Sequence, residues 1–239
     1  MSVLPWHEAT LVRIEPAAPK TLRYWFEVPG LASFDFKPGQ FVTLDLPIHE
    51  KPNKRWRSYS IASWPDGSNR FELVIVRNDE GAGTTYLFEE AAVGSVIPYR
   101  GPQGVFVLPE VLDQELFLVC TGTGIAPFRS MIHHILKSGI LHRNIYLVFG
   151  TRVQTNLLYH EELTALAAAF PSFHYHPVLS RESWEGETGY VHAVYERLAA
   201  RHPQAAFYLC GWKEMIREAR ERIEKLGYPR SALHQEVYG

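Results

Sequence analysis

Two different rhythms of apolar and polar positions divide the chain near residue 110. Before that point, short runs at 22–28, 40–46, 56–62 and 71–76 read as β-strands separated by Pro, Gly and Asp. Such punctuation predicts an antiparallel barrel. After it, apolar runs at 116–120, 144–149, 174–179 and 206–210 alternate with helical stretches at 126–137, 159–169, 192–201 and 213–225. That alternation predicts a parallel sheet covered on both faces. The expectation is therefore two domains, an antiparallel β-barrel over 1–110 and an α/β domain over 111–239. Pro102, Gly104 and Pro109 punctuate the passage between them, with 108–112 as the linker.

Three local patterns carry chemistry. The first buried run of the second half empties into Thr121-Gly122-Thr123-Gly124-Ile125-Ala126-Pro127. Glycines without a Cβ let the backbone turn sharply and approach a ligand, while free amides at the start of the next helix favour anionic oxygens. The turn suits a diphosphate, and it equally suits a strand-to-helix junction that needs glycines for packing. Pro127 stands where the third glycine of the G-x-G-x-x-G fingerprint would be, so that fingerprint is not met. A second glycine segment, Gly81-Ala82-Gly83-Thr84-Thr85, reads either as another phosphate-binding helix start or as a capped helix after a loop. The third pattern is Arg57-Ser58-Tyr59-Ser60. On a strand, Arg57 and Tyr59 share one face and Ser58 and Ser60 the other. A guanidinium, a flat ring and two hydroxyls suit a flavin's phosphate, ring and ring edge, or else serve structure alone.

Composition narrows the field. At 239 residues and 46% hydrophobic content the chain can bury cores for one large or two ordinary domains. A formal net charge of −2 gives no footprint for nucleic acid. No apolar run is long enough to span a bilayer, and the N-terminus lacks a basic start and an apolar core, so a cytoplasmic setting is expected. With Cys120 and Cys210 the only cysteines, neither a disulfide framework nor a four-thiolate iron–sulfur cluster can form within this chain. His133-His134 and the His174/His176 pair lack an accompanying acid or Cys at ligand spacing, so no metal site is expected.

Taken together, R-x-Y-S followed downstream by G-T-G-I-x-P resembles the ferredoxin-NADP reductase family, and the resemblance covers nearly the whole chain. It implies an FAD-dependent oxidoreductase that moves electrons between NADPH and a one-electron carrier such as ferredoxin or flavodoxin. Arg57 would then bind a flavin phosphate, Tyr59 pack on the isoalloxazine and Ser60 reach its N5 edge, with Ser58, Val74 and Val76 among the flavin contacts. Gly81, Gly83, Thr84 and Thr85 would take the flavin pyrophosphate, and two phosphate places favour FAD over FMN. Trp64 and Trp25 are candidates to stack the adenine, or are ordinary packing. Gly122, Thr123, Gly124 and Pro127 would hold the nicotinamide cofactor's diphosphate.

The resemblance extends to nucleotide choice and to the tail. Ser180 and Arg181 match a pair that binds the 2′-phosphate of NADP, with Tyr190 and Arg152 near the adenosine. No acid precedes Glu182 to take a free ribose hydroxyl, which favours NADP over NAD. Cys210 and Gly211 would border the nicotinamide pocket, with the thiol not a nucleophile. The ending Gln235-Glu236-Val237-Tyr238-Gly239 resembles the E-V-Y terminus of plant-type members, in which the tyrosine covers the flavin and the glutamate positions or proton-couples the site; here Gly239 follows Tyr238. A basic loop with Lys51, Lys54 and Arg55 suits an acidic carrier, or is simply solvated. Two other functions share these features: an NAD(P)H-dependent flavin reductase or reductase component of an oxygenase, and a nucleotide-binding regulatory subunit without turnover.

Overall fold

The first half of the chain forms six antiparallel strands among the residues described, 4–238, in the computed structural model. They are β1 (His7–Ala18), β2 (Thr21–Glu27), β3 (Phe41–Asp45), β4 (Trp56–Ser60), β5 (Arg70–Val76) and β6 (Val96–Gln103), in the order β4-β3-β6-β1-β2-β5. The Ala62 amide donates to the Glu72 carbonyl at 2.8 Å, which joins the two ends of the sheet and closes a barrel. Tyr24, Phe26, Val42, Leu44, Phe71 and Tyr99 fill its core. Helix α1 (Ala82–Glu89) adds Leu87 to that core, and the Leu87 carbonyl accepts the Tyr24 hydroxyl at 2.9 Å.

β1 and β6 were not among the four expected strands. Pro16 interrupts β1, and Pro98, Gly101 and Pro102 interrupt β6, so both read as punctuation. The two strands pair with each other over 7–10 and 96–99, and irregular register at Leu11/Arg13 and Pro16/Ala18 lets β1 follow the barrel's curvature.

Contacts divide the chain into two compact units, residues 1–107 with 126–134, and residues 108–125 with 135–239. The apolar rhythm placed a single division at 110. It could not register that 126–134 pack with the barrel strands, because the anchor is a charge. Glu72, 2% exposed, accepts Arg23 through Nε at 2.6 Å and Nη2 at 3.2 Å, and Arg129 through Nη1 at 2.9 Å. Arg129 also donates to the Ala62 carbonyl at 2.8 Å. A buried carboxylate between two guanidiniums is compensated only while both are present.

In the second unit, β7 (Glu115–Thr121), β8 (Ile145–Thr151), β9 (Phe173–Leu179), β10 (Glu187–Thr188), β11 (Ala205–Trp212) and β12 (Leu233–Tyr238) form a wholly parallel sheet in the order β10-β9-β8-β7-β11-β12. Helices α2 (Ile125–Ser138), α3 (His160–Ala169), α4 (Val191–Ala199) and α5 (Lys213–Lys225) connect them. α2 stops at Gly139, whose φ of 64° is left-handed and favours glycine. The strand order reverses between β7 and β11, and ligands of such sheets bind outside the carboxyl ends at that reversal. β10 and β12 are additions to the expected set. β12 is an edge strand of mixed polarity, Leu-His-Gln-Glu-Val-Tyr, so apolar periodicity does not reveal it. No helix among the described residues is long and apolar enough to cross a membrane.

Candidate functional site

In the first unit, β4 pairs with β3 so that Arg57 faces Leu44 and Tyr59 faces Val42, while Ser58 faces Thr43. Leu44 and Val42 lie in the core, so Arg57 and Tyr59 stand on the core side and Ser58 on the outer side. Ser58 is exposed with Oγ 2.9 Å from Thr43 Oγ1, whereas Ser60 is buried. Arg57 Nη1 donates to the carbonyls of Lys54 at 3.0 Å and Trp56 at 2.8 Å. Its stem lies over Gly83, where a Cβ would come 2.9 Å from Arg57 Cγ and 3.0 Å from Nε. Burial pushes the Tyr59 phenol up to about 12 against the lowering effect of Arg57, so the ring is neutral.

Gly81 is the N-cap of α1, and no side chain caps its first turn. Thr84 instead turns its hydroxyl back, donating to the Asn78 carbonyl at 2.9 Å and accepting the Asn78 amide at 3.1 Å. Thr85 follows, half-buried, on the same turn. The fold thus brings Arg57 to a glycine-rich helix start whose amides have no side-chain acceptor, which fits a diphosphate. On β5, Val74 is buried and Val76 is 45% exposed, both on the face opposite Leu73 and Ile75. Both adenine candidates have protein neighbours: Trp64 stacks on His133 at 4.0 Å, and Trp25 lies between the guanidiniums of Arg13 at 4.7 Å and Arg23 at 4.4 Å. In the basic loop, Asp45 holds Arg55 bidentately at 2.6 and 2.5 Å, leaving Lys51 and Lys54 exposed.

In the second unit the two glycines after β7 answer different needs. Gly122 has φ 55° with open space around a hypothetical Cβ, so its backbone conformation alone calls for glycine. Gly124 is conformationally ordinary, but a Cβ there would sit 2.5 Å from the Cys210 carbonyl oxygen. Thr123 lies between them on a 3-10 turn, and Pro127 is buried in the first turn of α2, which no side chain caps. Across the reversal point, Gly211 has φ 147° and faces Thr121, whose Oγ1 would be 2.4 Å from an added Cβ. The Thr121 hydroxyl is buried without a hydrogen-bond partner. Sequence reasoning did not select it as a ligand; an orphaned hydroxyl at the carboxyl end of β7 fits a nucleotide group that supplies the missing bond.

Beyond β8 and β9 the chain crosses itself. The amides of Ser180 and Arg181 donate to the carbonyls of Thr151 at 3.0 Å and Arg152 at 2.9 Å, so Arg152, Ser180 and Arg181 come together. Both arginines are exposed and neither has an ion pair among the described residues. Glu182 accepts the Gln154 amide at 2.6 Å, which employs that acid in the loop itself. Tyr190, 74% exposed, is the N-cap residue of α4.

At β11, burial pushes the Cys210 thiol well up, Glu236 and Cys120 add to the effect, and a hydrogen bond from Tyr238 opposes it. Burial thus favours the protonated thiol. Glu236 pairs with Cys210 and Tyr238 with Trp212 across β11 and β12. Tyr238 is half-buried with its hydroxyl enclosed, so here the terminal aromatic sits against the Cys210 wall. Gly239 lies outside the described residues.

The FAD-binding domain of oxidoreductases matches residues 8–108 and the NAD-binding domain of oxidoreductases matches residues 118–221. Over 240 residues the chain is 37% identical to Ferredoxin--NADP reductase B of Sorangium cellulosum, covering 97% of each. The chain belongs to the ferredoxin–NADP reductase family. As a member of that family it is a flavoprotein oxidoreductase with FAD and a nicotinamide nucleotide as cofactors. Its reductase fold is shared with a ferredoxin NADP+ reductase from Neisseria gonorrhoeae with bound FAD and NADP, at TM-score 0.82 and 24% identity over 97% of this chain and 98% of that one. The chain is also 29% identical to the anthranilate 1,2-dioxygenase electron transfer component of Acinetobacter baylyi, spanning 58% of that protein's length. The phenol hydroxylase P5 protein of Acinetobacter pittii is 33% identical, with 60% of its length spanned.

Proposed function

We propose that this reductase moves electrons between NADPH and a one-electron carrier protein of the ferredoxin or flavodoxin class, in the cytoplasm. The observation that carries the nucleotide choice is the meeting of Arg152, Ser180 and Arg181 at the carboxyl ends of β8 and β9, two unpaired guanidiniums and a hydroxyl where a ribose 2′-phosphate would lie. The carrier is supported by full-length similarity to a relative named as a ferredoxin–NADP reductase.

In this reading residues 1–110 bind FAD and residues 111–239 bind NADP. Arg57, Gly81, Gly83, Thr84 and Thr85 hold the flavin diphosphate, while Tyr59, Ser58, Ser60, Val74 and Val76 surround the rest of the flavin. Gly122, Thr123, Gly124 and Pro127 present backbone to the nucleotide diphosphate, Tyr190 lies along the adenosine, and Cys210 and Gly211 wall the nicotinamide. Tyr238 and Glu236 govern access beside that wall. Bound flavin supplies the conversion between two-electron hydride chemistry and single-electron delivery. The protein's part is to fix geometry and hold neutral groups neutral, as at Tyr59 and Cys210.

A second reading, the reductase component of an oxygenase, is favoured by the similarity to the dioxygenase and hydroxylase components. The test is anaerobic reduction of the purified protein by NADPH and by NADH, followed by cytochrome c reduction with added ferredoxin or flavodoxin. Rapid bleaching of stoichiometric bound flavin by NADPH and carrier-dependent cytochrome reduction are expected. A flavin-free preparation, or preference for NADH, would overturn the proposal.

A further inference from the structure

On the outer face of the barrel, Thr43 of β3 is flanked by Arg100 of β6 and Ser58 of β4. Val42, Leu44 and Tyr99 of the same strands point into the core, so these three residues face outward. Trp56 precedes them on β4 and shares that face. The Arg100 guanidinium lies 4.6 Å from the Trp6 ring centroid and 4.8 Å from that of Trp56, against a pair of indoles whose own centroids are 5.7 Å apart and whose planes are tilted by 46°.

This guanidinium has no acidic partner among the described residues, whereas Arg55 is closed by Asp45 and Arg70 by Glu27. Arg100 Nε and Trp56 Nε1 are both buried donors without an acceptor. Buried donors left unpaired cost free energy, and native chains usually give them a protein, water or ligand acceptor. Contact with both indoles restrains the guanidinium, which prepays part of the ordering needed to bind a carboxylate. Lys51 and Lys54, exposed on the loop leading into Trp56, make no ion pair among the described residues, with Glu50 the acid in that loop.

We propose that the Trp6–Arg100–Trp56 clamp is a docking point for a surface carboxylate of an acidic carrier protein, with Lys51 and Lys54 supplying the surrounding positive field. The site lies on a sheet face, and Trp6 is 37% exposed, so the occupant must bring its own surface to cover the indoles. This identification of the occupant rests on the carrier reading above; the clamp itself does not.

The test uses flavin-loaded enzyme and the variants Arg100→Met, Arg100→Lys and Trp6→Ala, each first shown to melt like the wild type. Steady-state reduction by NADPH is measured with flavodoxin and with menadione, a small uncharged acceptor. For Arg100→Met the KM for flavodoxin should rise about tenfold at low ionic strength, with kcat and the menadione rate unchanged. Arg100→Lys should recover part of the loss, and Trp6→Ala should lose several-fold. An unchanged flavodoxin KM in Arg100→Met overturns the proposal. Binding of a hexaglutamate peptide, followed by tryptophan fluorescence, judges the clamp without turnover. If wild-type enzyme reduces neither flavodoxin nor ferredoxin, the carrier reading fails, and saturable peptide binding abolished by Arg100→Met still supports the clamp. Peptide binding that is absent, equal in the variant, or matched in strength by acetate alone overturns it, the last outcome marking a small-anion site only.

Discussion

Arg57 lies across Gly83 so closely that no side chain fits between them, a Cβ at 83 falling 2.9 Å from Arg57 Cγ. A strand guanidinium and a helix start are thereby brought together, as the proposed flavin diphosphate site requires. Arg57→Ala should release FAD from a largely intact fold, because a charge-assisted hydrogen bond contributes roughly 1.5–3 kcal/mol. Gly83→Val should release it too, by displacing the arginine. Flavin content after gel filtration checks both, and full retention in both variants would mark the pair as structural.

Arg181→Ala should weaken NADPH about tenfold and leave NADH nearly unchanged, since only NADPH carries the phosphate it would bind. Stopped-flow flavin reduction across nucleotide concentration measures this. Equal losses for the two nucleotides would show that Arg181 holds some part common to both.

On the proposed role of Tyr238 as a ring that nicotinamide displaces, Tyr238→Ser should tighten nucleotide binding, NADH gaining proportionally more, since such stacking is worth on the order of 0.5–1.5 kcal/mol. Turnover should fall where nicotinamide leaves slowly. Difference spectra on titration with NADP+ and NAD+ report the change, and unaltered affinities and flavin spectrum would direct the tyrosine elsewhere.

Glu72→Gln leaves Arg23 and Arg129 facing a neutral group, and breaking a buried pair from one side typically costs about 3–5 kcal/mol. Thermal unfolding should show a large loss. Glu72→Gln with Arg129→Met should recover stability relative to the single variant, and simple additivity would contradict the proposed compensation.

Cys210 has a thiol held well above its ordinary range, chiefly by burial. Because its folded value exceeds the unfolded one, the protonated thiol contributes stability below the unfolded value, and that contribution is lost as pH rises toward the folded value. Melting curves between about pH 7 and pH 10 should fall more steeply for the wild type than for Cys210→Ala. Parallel curves would remove the thiol from the account.

What could be read from the sequence was local. The four barrel strands bounded by Pro, Gly and Asp, the four long helices and the two glycine segments are each specified within a few neighbouring residues. β1 and β6 were hidden by Pro16, Pro98 and Pro102, whose missing amides look like loop signals when the irregular barrel pairing is unseen. β12 was hidden by its polarity, since an edge strand needs only one covered face. Long-range closures were equally invisible: the Arg57 and Gly83 contact, the salt bridge from Arg129 to Glu72, and the crossing of 151–152 with 180–181 join residues whose spacing in the chain is arbitrary. The sequence could propose two roles for Gly122 and Gly124, but only the backbone shows that each residue meets one of them.

The contact of Gly124 with the Cys210 carbonyl ties the turn after β7 to the end of β11, the two segments proposed to hold the nucleotide's diphosphate and nicotinamide. Neither can be reshaped by substitution without pressing on the other, so this half of the proposed site is closed to gradual change. Arg152, Arg181 and Tyr190 stand in the open, where side chains can be exchanged without disturbing a packed neighbour. In the proposed reading, preference between nucleotides is therefore free to drift in this scaffold while the capacity to bind one stays fixed, and descendants of such a chain can change their reductant without first surviving a poorly folded intermediate.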